Sequence, residues 1–267
     1  MSLNISNIYL KAAYDIYLER LDEVKEYIEF INVLHNNLDD NEIEYINRDS
    51  QVSTSYRLSS TLEYTIYSST YLMIYNLIES SANSIIYSIH ENIDANGVKP
   101  HDLNSKLYRN FLRNFKNFLN EENILKLERN RSTSEEEMLL KLLSESYTKE
   151  GFFNGNIDFR VLKKTAKDYG FLIKPILGRE FSAEDLLVVK SRRNKLAHGA
   201  YSFSECGKSV TFQEGQTTFE VFSINGEENS IEINTMNHIF QSVENVLDCM
   251  FLCLNDYLKD RKYLAES

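Results

Sequence analysis

From about Leu58 to Ile93 the chain contains the stretch TYLMIYNLIESSANSIIYSIHENI, which is apolar around much of the circumference of an α-helix. A helix without a clear polar face has to be surrounded by other elements, so this segment predicts the central helix of a bundle. Asn-Gly and Lys-Pro between Asn96 and Pro100 end it. Only 9 Gly and 2 Pro occur in 267 residues, too few for a sandwich or barrel with many tight turns. With 42% hydrophobic residues the chain can bury a sizeable core. The expected fold class is mainly α, a helical bundle with a small β-hairpin appendage near the C-terminal end.

The other elements follow from periodicity and punctuation. Ile8, Ala12, Ile16, Val24, Ile28 and Ile31 recur at helical spacing among Glu19, Arg20, Asp22 and Lys25, predicting a long first helix to about Leu34. Asn36 to Ser55, with Asp39, Asp40, Asn41, Glu42 and Asp49, is expected to be an acidic connection with one short helical turn. A helix is expected between His101 and Glu128, and Ser134-x-x-Glu137 has the form of a capping box opening another through Met138 to Leu143. Gly151 to Asn156 is expected to be a loop, and Asn156 to Tyr169 a shorter helix. Ser182, followed by Glu184 and Asp185, marks the start of a helix that Gly199 stops. Ser209 to Gln213 and Thr217 to Ile224 alternate like strands around Glu214-Gly215-Gln216, the mark of a hairpin, with a third strand at Ile231 to Ile233. A last helix runs from about Thr235 to Lys262. The expected organisation is one domain over 1–267: N-terminal helix and acidic linker 1–57, bundle core 58–200, hairpin 208–233 and C-terminal helix 235–263.

The formal net charge is −11, so the whole molecule is not a generic polycation for nucleic acid, and any nucleic-acid site must be local. Three cysteines, Cys206, Cys249 and Cys253, cannot all pair within one chain. Without a basic and apolar leader or an apolar run of about 18 residues, the expectation is a soluble, reduced, cytoplasmic protein with no membrane association. His35, His90, His101 and His238 are isolated, and neither C-x2-C nor H-x3-H spacing occurs. No metal and no cofactor are therefore expected.

The opposite of the general acidity is found near the end of the helix that begins after Ser182, where Lys190, Arg192, Arg193, Asn194, Lys195 and His198 fall together. Positive charge at a helix C-terminus is also what the macrodipole favours, so this cluster alone does not separate a stabilised helix end from a reactive site. Two further basic rows are ambiguous in the same way. Arg109, Arg113 and Lys116, with Tyr108 and Phe115 nearby, and Arg160, Lys163, Lys164 and Lys167 fit either the tracking of an RNA backbone or an ordinary solvated face. Asn76 and Glu79, on the apolar central helix, are expected to be buried and paired, supporting the site or the bundle.

Arg193-Asn194-Lys195-Leu196-Ala197-His198 resembles the R-x4-6-H motif of the HEPN superfamily, which lies on a late helix of a small bundle. Gly199 to Phe203, Tyr71 to Ser80 and Asn156 to Lys164 are similar to a prokaryotic branch associated with defence and toxin–antitoxin loci, and the similarity extends from about Leu58 to Leu258. The resemblance implies a metal-independent endoribonuclease, working as a homodimer with two motif helices facing across a cleft and answering to an antitoxin or defence-system partner protein. It implies that His198 is general acid or base and that Arg193 holds the scissile phosphate. Asn194 then positions a ribose or phosphate oxygen, or fixes the imidazole. Lys190, Arg192, Lys195 and Tyr201 are expected on the RNA, with Asn76 and Glu79 behind them. Some homologous toxins carry a tyrosine two residues after the histidine, where this chain has Ala200, and Tyr201 follows one later. Five residues at about 100° each put Arg193 and His198 roughly 140° apart on an ideal helix. The arginine must reach around, the last turn must distort, or the cleft must take the two residues from opposite sides of a two-fold axis. The alternative is a non-catalytic HEPN-like module that binds RNA, a nucleotide or a protein.

Overall fold

The computed structural model describes residues 3–36, 42–46, 53–118, 153, 155–208, 219–222, 228–231 and 235–265. In chain order the elements are α1 (Ile8–Asn36), β1 (Glu42–Ile46), β2 (Ser53–Arg57), α2 (Ser60–Ala95), a 3-10 turn (Pro100–Asp102) and α3 (Ser105–Phe118). They continue with α4 (Phe159–Tyr169), α5 (Ala183–Ala197), α6 (Phe203–Gly207), β3 (Phe219–Phe222), β4 (Glu228–Ile231) and α7 (Met236–Lys259). The protein is mainly helical, and its hairpins are minor additions.

These elements form two compact units, one of Met1–Tyr17, Ile78–Glu180 and Asn245–Ser267, the other of Leu18–Leu77 and Phe181–Glu244. The boundaries fall inside α1, α2 and α7, each of which contributes a stretch to either unit.

In the first unit, Tyr14, Tyr17 and Phe251 form an aromatic cluster, with both tyrosine rings 5.1 Å from Phe251. Offset and edge contacts of this kind suit the ring quadrupoles. The buried Asp248 carboxylate accepts from Tyr17 Oη at 3.3 Å and is ion-paired with Arg179 on the segment leading to α5. The α4 helix begins three residues after the expected Asn156, where Asp158 caps it by accepting from the Arg160 and Val161 amides, and Gly170 closes the other end at φ 92°. Behind α3 and α4, His90 stacks on Phe111 with ring centroids 5.3 Å apart and shares a 2.8 Å hydrogen bond with the Tyr169 hydroxyl.

Burial lowers the pKa of His90 to about 3. The folded protein therefore keeps this ring neutral, while the unfolded chain protonates it below about 6.5. The unfolded state binds the extra proton between those two values, so stability is full above about 6.5 and falls as pH drops toward 3, by at most about 1.4 kcal/mol per pH unit from this group. Urea midpoints of wild type and His90→Phe at neutral pH and near pH 5 test this. The wild type is expected to lose more on acidification, and equal losses would remove His90 from the account.

In the second unit, Leu21, Val24, Ile28 and Ile31 of α1 are buried together with Tyr67, Tyr71, Ile74 and Tyr75 of α2. Each fully buried aliphatic side chain contributes about 1.5–3 kcal/mol relative to exposure. Tyr27 Oη donates to the Ile66 carbonyl at 2.8 Å, and Lys25 pairs with Glu244 at 2.9 Å. Leu186, Val188, Val189 and Leu196 supply the apolar face of α5, and Met236, Ile239, Phe240 and Val243 that of the start of α7.

Two expectations about strands are corrected. The acidic linker contains no helical turn among its described residues, because Glu42–Ile46 and Ser53–Arg57 pair as an antiparallel hairpin with Glu42 opposite Arg57. The period-2 pattern Glu-Ile-Glu-Tyr-Ile carries that preference, and the surrounding acidic residues obscure it. Near the C-terminal end, Phe219–Phe222 pairs with Glu228–Ile231, so the partner strand begins before the expected Ile231 to Ile233. The expected strand Ser209 to Gln213, the turn Glu214-Gly215-Gln216 and the helix at Ser134 to Leu143 lie outside the described residues. No helix among the described residues is long and apolar enough to cross a membrane.

Candidate functional site

The motif helix α5 begins after Ser182, whose backbone amide donates to Ser242 Oγ at 3.1 Å and whose hydroxyl donates to Glu184 at 2.7 Å. Asp185, Val189, Arg192 and Leu196, at i, i+4, i+7 and i+11, are all buried. This spacing puts Arg192 inside, only 5% exposed, which corrects its assignment to an RNA-facing surface. Its charge acts on two buried groups instead. Burial pushes the Tyr71 phenol and the Cys206 thiol up, and the Arg192 guanidinium pulls both back.

Arg193 is half-buried and lies over the aromatic ring of Tyr75, 4.5 Å from its centroid. Its Nη1 donates to Asn194 Oδ1 at 3.1 Å. The asparagine oxygen therefore orients the arginine, a role that neither sequence expectation for Asn194 included. Cation–π contact with a buried ring and a hydrogen bond to the next residue restrict the guanidinium before any ligand arrives.

The helix stays α-helical through Ala197, so a distorted last turn is not what reconciles Arg193 with His198. His198 caps the helix and is exposed; its amide donates to the Asn194 carbonyl. Gly199 at φ 66°, with the Gly199 amide on Leu196 and the Ala200 amide on Lys195, closes a Schellman motif. An L-residue with a side chain resists this backbone angle, which explains the glycine after the histidine.

The chain then turns into α6, which sequence reasoning missed although Ser202-x-x-Glu205 advertises it. Ser202 Oγ accepts from the Glu205 amide, and the Glu205 carboxylate accepts from the Ser202 amide. Gly207 seats α6 on α2, since a Cβ there would lie 1.8 Å from the Tyr64 carbonyl oxygen. Between α5 and α6, Lys195 Nζ donates to Tyr201 Oη at 3.2 Å and lies 4.3 Å from the ring centroid. Lys190 is half-buried on α5.

Asn76 is exposed, not buried as expected. It occupies the outward position of a turn whose inward positions are Tyr75 and Leu77 to Ile78. Glu79 is half-buried and accepts from the Gly155 amide at 2.9 Å, bracing the segment before α4. Among the described residues no three His, Cys, Asp or Glu side chains come together as a metal-ligating group.

A mainly helical chain that presents Arg, Asn and His at the end of a late helix has the character of a HEPN protein. The family model of the MAE_28990-like HEPN proteins matches residues 17–263, and the chain belongs to that family. No curated protein and no solved structure matches it significantly.

Proposed function

We propose that this HEPN protein is a metal-independent endoribonuclease of a prokaryotic defence or toxin–antitoxin system, acting in the cytoplasm as a homodimer. The observation that supports it best is the pairing of a restrained Arg193, held by Tyr75 and Asn194, with an exposed His198 at the cap of the same helix. The reading takes the chain as one domain, because the boundaries of its compact units fall within three continuous helices.

RNA supplies its own nucleophile. The 2′-oxygen attacks the adjacent phosphorus, the bond to the 5′-oxygen breaks, and the products are a 2′,3′-cyclic phosphate and a 5′-hydroxyl. One proton leaves the 2′-hydroxyl and one arrives on the 5′-oxygen, work for an imidazole. The phosphorane charge falls to the planar donor fork of Arg193. Lys190 and Lys195 contribute positive charge along the same helix, and Tyr201 offers a ring beside them. Because Arg193 and His198 leave a regular helix on different sides, two copies of the motif facing across a two-fold axis complete one cleft. An antitoxin or defence-system partner protein restrains the activity in the cell.

The test is incubation of single-stranded RNA with the purified protein in EDTA, with analysis of the new termini. Cyclic phosphate and 5′-hydroxyl ends are expected. RNA bound but left intact would favour the binding-module reading. Sedimentation at micromolar concentration is expected to show a dimer, and a monomer that still cuts would remove the composite cleft.

A further inference from the structure

We propose that α3 and α4 together form a second RNA-binding surface, in the unit that does not carry the motif. This rests on the reading of RNA as the substrate. The two helices pack side by side. Their sequences, SKLYRNFLRNFKNF and FRVLKKTAKDY, hold eight Lys and Arg against the single acid Asp168. The whole chain has 29 basic and 40 acidic residues, so this is a strong local inversion of charge. Neither row alone distinguishes a polyanion site from a solvated face, but their adjacency does more.

Lys106 and Arg109 of α3 and Lys163, Lys164 and Lys167 of α4 are exposed. Arg113, 61% exposed, reaches Asp168 at 3.5 Å, an ion pair across the seam between the two helices. Arg160 turns to the N-cap carboxylate of Asp158. Clustered like charges repel one another, and a polyanion that displaces its counterions relieves that cost.

The face also selects among polyanions. Tyr108 and Leu112 are partly exposed beside Arg109, while Leu107 and Phe111 are buried beneath. Leu107 and Phe111 are thus committed to the core and not offered to a lipid bilayer, whereas an exposed tyrosine among cations suits stacking by an unpaired base. Single-stranded RNA fits this combination better than an anionic membrane. His90, stacked on Phe111 and bonded to Tyr169, stiffens the two helices from below.

Binding is measured by fluorescence anisotropy of a labelled oligouridine of about 20 nucleotides, in a His198→Ala background that prevents cutting. Reversal of Arg109, Lys163, Lys164 and Lys167 to Glu is expected to weaken binding at least about tenfold and to flatten the salt dependence by about 0.7 units of slope per lost contact, the scale for single strands. Substitution of the same four residues by Gln is expected to act in the same direction, more weakly, with helix content unchanged by circular dichroism. In the cutting enzyme the reversal is expected to raise KM and leave kcat alone. Unchanged affinity, with binding lost instead on reversal of Lys190 and Lys195, overturns the second surface and leaves the ribonuclease reading standing. A wild type that never cuts RNA, but loses its binding on the α3–α4 reversal, sinks the ribonuclease reading and keeps the surface. Binding to phosphatidylserine-containing vesicles but not to oligouridine, abolished by the same reversal, overturns RNA as its ligand.

Discussion

His198→Ala and Arg193→Ala are each expected to lower RNA cleavage at least about 100-fold, the scale associated with losing one proton-transfer group or one donor to a developing charge. Both residues lie at the end of α5, where His198 is exposed and Arg193 half-buried, so neither substitution opens a large cavity. Thermal midpoints are expected to stay close to wild type. Arg193→Lys separates charge from geometry. An ammonium keeps the charge but loses the planar fork that lies over Tyr75 and donates to Asn194, so cleavage is expected to stay low. A DNA copy of the substrate lacks the 2′-hydroxyl and is expected to remain intact. Undiminished cleavage by His198→Ala would move the assignment to a binding module.

Gly207→Ala is expected to destabilise the protein by about 1–3 kcal/mol and to depress cleavage with it. Ala is the better helix former, so local propensity predicts the opposite sign. The added Cβ, however, would sit 1.8 Å from the Tyr64 carbonyl oxygen and 2.7 Å from the Tyr64 Cα, and backbone cannot turn aside as a side chain can. Either α6 lifts from α2 or the helices part, and α6 holds Cys206 and the segment that follows His198. Gly199→Ala is the comparison. Nothing lies within 4 Å of the place its added methyl would take, so only the φ of 66° resists, at about 1 kcal/mol. Urea denaturation of both variants checks the order, and an unaltered Gly207→Ala midpoint would show that α6 does not depend on this close approach.

Much of the local architecture is legible in the sequence because its causes are local. The bounds of α2 follow from an apolar run that needs cover on most sides, and Asn96-Gly97 and Pro100 stop it. Asp158 and Gly170 bracket α4, and Gly199 ends α5. The motif Arg193, Asn194 and His198 stands out by residue type and by position at that end. The linker hairpin escapes such reasoning because strand pairing depends on a partner several residues away, which the alternation of Glu42 to Ile46 alone does not name. The short helix α6 is easily overlooked although its capping box is written in adjacent residues.

Side chains whose role depends on what lies opposite are less legible. Arg192 and Arg193 are neighbours of one type, yet the turn of α5 sends the first into the interior toward Tyr71 and Cys206 and lays the second over Tyr75. Apolar neighbours suggest that Asn76 lies inside, but its own position on α2 faces outward while Tyr75, Leu77 and Ile78 are buried. The sequence by itself determined that this is a helical chain with an Arg-Asn-x3-His helix end, since helix periodicity, caps and residue chemistry act over a few residues. Only the tertiary structure decided which basic residues are buried, what restrains Arg193 and that the basic helices α3 and α4 are neighbours. Those outcomes depend on contacts between residues far apart in the chain, which are set by packing and not by local preference.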